Sequence, residues 1–149
     1  MVVRLGMAAL GVLHAWWGLW ATLAPSHFYE TFPGFGRRWT ADYPPYNAHL
    51  VADLGATFLT LAFLLFAGAA AHSRPVRTVA LTAVGVFGAL HLGFHSVHRG
   101  GMDGADFWTS LFFLVLGVLA PIALLVLDRF TAGKGSGARR VSSTGQSAE

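Results

Sequence analysis

Residues 107–127 have the sequence FWTSLFFLVLGVLAPIALLVL, which contains no formal charge. As a helix rising 1.5 Å per residue, such a run spans about 32 Å, enough to cross a bilayer core about 30 Å thick. The run does not alternate polar and apolar residues as a barrel strand does, and an open strand in lipid leaves its backbone unpaired. The stretch therefore predicts a transmembrane helix.

Three further apolar runs, 5–24, 50–71 and 79–98, are about as long, and Asp53 is the one residue in them with a formal charge. The four runs predict an all-α fold, a four-helix transmembrane bundle over residues 1–128. Residues 129–149 are rich in Gly, Ser and Thr, which predicts a disordered cytoplasmic tail. The first run also has the basic start of a signal peptide, but its 20 residues and three tryptophans favour a retained helix.

The composition excludes several classes of protein. Of the 149 residues, 54% are hydrophobic and 11% are charged, whereas a soluble domain carries about 25% charged residues. Because cysteine is absent, any metal must be bound by histidine and carboxylate, and disulfides are excluded. The ten basic residues are scattered between the apolar runs, so the net charge of +3 indicates a lipid bilayer rather than nucleic acid as partner.

Loop charges predict the orientation of the bundle. With four spans both termini share one side, and that side carries seven basic residues: Arg4, Arg74, Arg77, Arg129, Lys134, Arg139 and Arg140. The other side carries three: Arg37, Arg38 and Arg99. Because basic residues accumulate on the cytoplasmic side, we expect a multi-pass protein of the plasma (inner) membrane with both termini in the cytoplasm.

The long outer loop, 25–49, is rich in aromatic residues. Ser26 is a candidate N-cap for a short helix that ends at Pro33-Gly34. Six aromatic side chains of the loop predict a lid at headgroup level: Phe28, Phe32, Phe35, Trp39, Tyr43 and Tyr46. The lid is either an ordinary interfacial belt or a cap over a site between the helices.

Polar residues recur at helical spacing in two of the spans. The second helix carries His49, Asp53, Thr57 and Thr60, and the third carries Val84, Gly88, His91, His95 and His98. Such spacing places each set on one helix face, and we expect both faces to point into the bundle interior. The rise per residue puts Asp53 and His95 at nearly the same depth, below the outer rim.

These residues suggest three kinds of site. His49, Asp53, His91 and His95 are suitable ligands for a transition metal, namely Zn, Fe, Mn or Cu. His14 and His91 come near to the matched depth of two axial haem ligands, with Gly11, Gly18 and Gly88 leaving space for a flat group; the same glycines are typical of close helix packing. Alternatively, Asp53 pairs with His95 or His91 and fixes the helix register.

Two classes of function follow, and whether the protein is an enzyme stays open. One is a metal- or haem-binding membrane protein, redox-active toward a lipid-soluble small molecule that enters under the lid. The other is a non-catalytic accessory subunit of a membrane complex, or a homo-oligomer, whose polar stripes specify helix packing. A proton or ion path along the histidines is a third possibility, although four spans make a thin transporter without oligomerisation.

The outer loop and the start of the second helix resemble a group of small bacterial four-span membrane proteins. The likeness lies in Phe28-Tyr29, Phe32–Arg37, Trp39, Pro45–Val51 and Asp53–Gly55, and the arrangement of spans is similar to the DoxX-like families. The group more usually has an acid where this chain has Ala48, so that carboxylate beside His49 is missing here. The resemblance implies a four-helix fold and a membrane location, and it carries no established activity.

Overall fold

Four long helices make up most of the chain. The computed structural model describes residues 1–131 with their side chains and follows the last helix to Thr144. Within that part, the elements are α1 (Val2–Leu23), α2 (Pro25–Thr31), β1 (Pro33–Gly34), β2 (Arg37–Arg38), α3 (Ala48–Ala70), α4 (Arg74–Val97) and α5 (Gly104–Thr144). Among the described residues, four helices are long and apolar enough to cross a membrane. The predicted four-helix membrane bundle is thereby confirmed.

The helices begin two to five residues before the predicted spans, because capping residues lie outside the apolar runs. The Asn47 side chain accepts hydrogen bonds from the backbone N–H groups of His49 and Leu50 and so starts α3. The predicted N-cap at Ser26 is wrong, since Pro25 takes the first turn of α2 and Ala24 precedes it. Of the tail predicted for 129–149, the part up to Thr144 continues the backbone of α5, and residues 145–149 lie outside the described residues.

Glycines bring α1 and α3 into close contact. A Cβ on Gly18 would lie 2.9 Å from the Gly55 carbonyl oxygen, so the two backbones meet where these glycines face each other. A Cβ on Gly11 would strike the Phe66 ring, and one on Gly88 would lie 3.4 Å from the Gly117 carbonyl oxygen of α5. The glycines near His14 and His91 are therefore packing residues, which is the ordinary use of glycine between membrane helices.

We call the end of the bundle where α1 begins and α3 ends the inner end, and the end that carries the loop 25–47 the outer end. The half next to the inner end has an apolar core. Its buried members come from α1, α3 and α4, and they are Val3, Met7, Leu61, Leu65, Ala80, Leu81 and Val84. Leu124 and Leu125 of α5 pack against this cluster. A second cluster at the outer half joins Ala21 and Phe58 to Phe28 of the outer loop.

Ionic contacts tie the helices together at the inner end. The nearly buried carboxylate of Asp128 accepts a hydrogen bond of 2.9 Å from Arg77 Nε and lies 3.5 Å from Arg74 Nε. Arg4 donates to the carbonyl oxygens of Ala69 and Ala70, where α3 ends. Three residues predicted only to set the orientation are therefore also structural links between α1, α3, α4 and α5.

The outer loop is a folded lid. Pro33–Gly34 pairs with Arg37–Arg38 in a hairpin whose two-residue turn, Phe35-Gly36, has positive φ angles of 57° and 79°. Arg37 forms an ion pair with Asp106 at the start of α5. Phe28 and Trp39 are buried, whereas Phe35 at the turn is fully exposed. Except for Phe35 at its tip and the exposed Tyr46, the aromatic loop therefore packs onto the outer end of the bundle.

Candidate functional site

The histidines of α4 lie beneath the outer loop. The His91 ring stacks on Phe87 at 5.4 Å between centroids, and the His95 ring meets His91 at 4.6 Å in a T-shaped contact. Both side chains are half-buried, which confirms the inward direction predicted for them. His98 is exposed and stacks on Phe94 at 4.3 Å, so it does not belong to the inward face.

Tyr43 of the outer loop closes over His95. Its hydroxyl oxygen lies 2.8 Å from His95 Nδ1 and 2.6 Å from the His98 carbonyl oxygen. One arrangement satisfies both contacts: the phenol donates to the carbonyl and accepts from a protonated Nδ1. His95 Nε2 is then the nitrogen that keeps a lone pair.

The same phenol is kept neutral by its surroundings. Burial, and secondarily the Asp42 carboxylate, raises the pKa of Tyr43 above its ordinary value of 10.0. The sequence placed Tyr43 in the lid but gave no sign of its contact with His95, 52 residues further along the chain. A tyrosine in the lid, together with two histidines four residues apart near the outer end of a span, is the sequence feature that could have suggested this contact.

The polar stripe of α3 faces outward. His49 Nε2 lies 3.4 Å from Asp53 Oδ2, and the two side chains are 81% and 61% exposed. Thr60 of the same stripe is exposed as well, and Thr57 is half-buried. The expectation that this stripe faces the bundle interior is wrong, because the opposite face of α3 is the one that packs; its buried residues are Gly55, Phe58, Leu61, Ala62, Leu65 and Gly68.

The four predicted metal ligands therefore lie in two pairs, His49 with Asp53 and His91 with His95. Within residues 1–131, no three histidine, aspartate or glutamate side chains are grouped so that they could hold a metal ion. The partner of Asp53 is His49 on its own helix, one turn away, and not a histidine of α4. A pair of ligands on each helix needs further ligands from elsewhere before it makes a complete metal site.

His14 is buried in the middle of the bundle. Its Nδ1 donates to the Leu10 carbonyl oxygen at 2.8 Å, and its ring lies 5.8 Å from that of Phe58. Phe58 contacts Phe87 at 5.7 Å, and Phe87 carries His91 on its other side. Because the contact path from His14 to His91 runs through two phenylalanine rings, the two imidazoles do not face each other as axial haem ligands do.

Comparison of the chain with protein-family models, with curated proteins and with solved structures gave no match.

Proposed function

We propose that this chain is a non-catalytic accessory subunit of the membrane, which assembles with other membrane helices through the outward stripe of α3. We use the name α3 polar face for the exposed residues His49, Asp53, Ala56 and Thr60, three of which belong to that stripe. The observation that carries the proposal is the exposed His49–Asp53 pair within a helix that spans the membrane. Ionisable side chains within spans ordinarily face a bundle interior or a partner.

The depth of Asp53 supports this proposal. Helix α3 has 23 residues and is about 35 Å long, so a core of about 30 Å leaves roughly 2 Å of helix at each end. Asp53 lies five residues after Ala48, or about 7.5 Å along the axis, and hence roughly 5 Å inside the core. An aspartate at the helix centre costs up to about 3 kcal/mol in lipid, and a partner that pairs with it removes part of that cost.

Three other polar residues of the long helices make polar contacts within the chain. His14 bonds to its own helix, His95 bonds to the lid, and Asp128 bonds to Arg77. These contacts within the chain support a structural role for the three residues.

We infer that the protein lies in the plasma membrane with both termini in the cytoplasm. Arg4, Arg74 and Arg77 meet at one end of the bundle, and Arg37 and Arg99 lie at the other. Since the chain has no cysteine, Phe35→Cys introduces a single thiol at the exposed hairpin tip. A membrane-impermeant maleimide should label it in intact cells, and labelling only after lysis would reverse the orientation.

Metal binding at His91 and His95 is a second candidate function, favoured by the contact between their rings. A bound Zn, Fe, Mn or Cu ion would take its remaining ligands from a lipid-soluble small molecule or from water. This function predicts about one metal ion per purified chain, lost in His95→Ala and kept in His72→Ala. Elemental analysis of the three proteins measures it, and a metal-free wild type would exclude it; a haem would show itself by colour.

A photo-crosslinker on the α3 polar face tests the accessory role. Ala56→Cys carrying benzophenone maleimide should give protein adducts of discrete mass in native membranes. Leu90→Cys is the matched control, because Leu90 is 72% exposed on α4 at a similar depth below the outer end. Adducts at both positions, or at neither, would contradict the proposal.

A further inference from the structure

We propose that the partner at the α3 polar face is a second copy of this chain, which makes the protein a parallel homodimer in the membrane. This inference rests on the proposed function and names its partner. The two copies are related by a two-fold axis along the membrane normal, so that equivalent residues lie at equal depth.

The hydrogen-bonding pattern of the face is complementary to itself. His49 offers an imidazole and Asp53 a carboxylate one turn below it, and each has most of its surface exposed. When two such helices lie side by side in parallel, His49 of each copy reaches Asp53 of the other across the axis. Two equivalent contacts form in this way, and each acid gains a second partner besides the His49 of its own helix.

A different partner helix fits this pattern less well. A helix that presents a single arginine or lysine would pair with Asp53 and offer His49 no acceptor. An apolar helix would offer neither group a contact beyond the one that they make with each other. A partner must supply an acceptor and a donor one turn apart at the same depth, and a second copy does so by symmetry.

Directly below the His49–Asp53 pair the face carries two small residues, and the large exposed side chain of Phe63 follows further along it. Ala56 and Thr60 lie below the His49–Asp53 pair, and both are exposed. The Thr60 hydroxyl is turned inward to the Ala56 carbonyl oxygen at 2.9 Å, so it does not project from the surface. Small side chains let membrane helices approach closely, which brings the two polar pairs within reach of each other.

Disulfide formation between two identical single-cysteine chains tests the inference. Ala56→Cys should give a product of twice the 15.9 kDa chain mass on mild oxidation, in native membranes and in vesicles containing only the purified protein. Leu90→Cys, treated in the same way, should stay monomeric. The purified vesicles are decisive, because they contain no other protein.

The outcomes separate the inference from the proposed function. If Ala56 gives a photo-adduct of another mass in native membranes and no dimer in purified vesicles, the homodimer is excluded and the accessory role stands. If Ala56 gives no adduct and no dimer, both are excluded. If Ala56→Cys and Leu90→Cys both form a disulfide dimer, the disulfides reflect random collision between chains, and the inference is overturned.

Substitution within the His49–Asp53 pair provides a second measurement. Asp53→Leu should weaken dimerisation about tenfold, because two interhelical contacts are lost, each of the strength measured between membrane helices. Energy transfer between differently labelled copies, followed as lipid is added, measures this change. Thr109→Leu is the control: Thr109 lies five residues into α5, at the depth of Asp53, and this variant should dimerise as the wild type does. Equal affinity for Asp53→Leu and wild type would overturn the inference.

Discussion

Helices α3 and α4 both carry ionisable residues four positions apart near the outer end, yet the structure uses the two pairs in opposite ways. On α4, His91 packs against Phe87, and His95 bonds to Tyr43. His49 and Asp53 on α3 bond to each other and face outward. The difference shows that spacing selects a face of a helix, while the residues on the other faces decide which one is buried.

The competing residues on α3 explain its orientation. Gly55 and Phe58 lie on the face opposite Asp53, and there the glycine lets α1 approach while the phenylalanine fills the outer core. On α4 the competing face is Leu90, Phe94 and Val97, which are apolar and face lipid. Burying glycine and aromatic residues on α3 leaves its polar residues outside.

A lysine introduced into each pair should give the largest difference in stability between them. His91→Lys places an ammonium group against Phe87 inside the bundle and should cost several kcal/mol, enough to abolish the folded protein. Asp53→Lys should leave the monomer folded, because its side chain extends along the surface to the headgroups. Yield of monodisperse protein and its thermal unfolding in detergent measure both, and equal losses would contradict the assignment of the two faces.

A larger residue in place of Gly55 tests whether the close approach of α1 and α3 stabilises the observed orientation of α3. Gly55→Val introduces carbon atoms where the backbone of Thr22 and Gly18 already lies, and we expect a loss of about 1–3 kcal/mol in unfolding free energy. Gly117→Val is the control, since a Cβ there has no neighbour within 4 Å among the described residues. A Gly55 variant as stable as the Gly117 variant would show that the close approach of α1 and α3 does not stabilise the bundle.

Loss of the contact between Tyr43 and His95 should have the smallest effect on stability among these substitutions. Tyr43→Phe removes the hydroxyl bonds to His95 and His98 and should lower stability by about 1 kcal/mol at neutral pH. Since burial raises the pKa of Tyr43, its contribution is complete below about pH 10 and is lost as pH rises through the folded-state value. The stability difference between wild type and Tyr43→Phe should therefore narrow above pH 10, and a constant difference would contradict the contact.

The sequence was sufficient to predict the helices and insufficient to predict their mutual contacts. Run lengths and the single charge at Asp53 identified four spans, since the bilayer requires about 20 apolar residues in each. The inward direction of His91 and His95 also followed from spacing. The outward direction of Asp53 did not, because it depends on Gly18 of another helix. The ion pairs of Asp128 with Arg74 and Arg77 likewise join residues about 50 positions apart.

The separation of the two polar pairs is tested most directly by joining them. In a chain that otherwise lacks cysteine, Asp53→Cys with His95→Cys should form no intramolecular disulfide, as counted by free thiols on the monomer. Gly68→Cys with Ala80→Cys is the positive control, because their Cβ atoms would lie 3.3 Å apart, close to disulfide geometry. Efficient closure of the 53–95 pair would contradict the account and restore a single cluster of His49, Asp53, His91 and His95 inside the bundle.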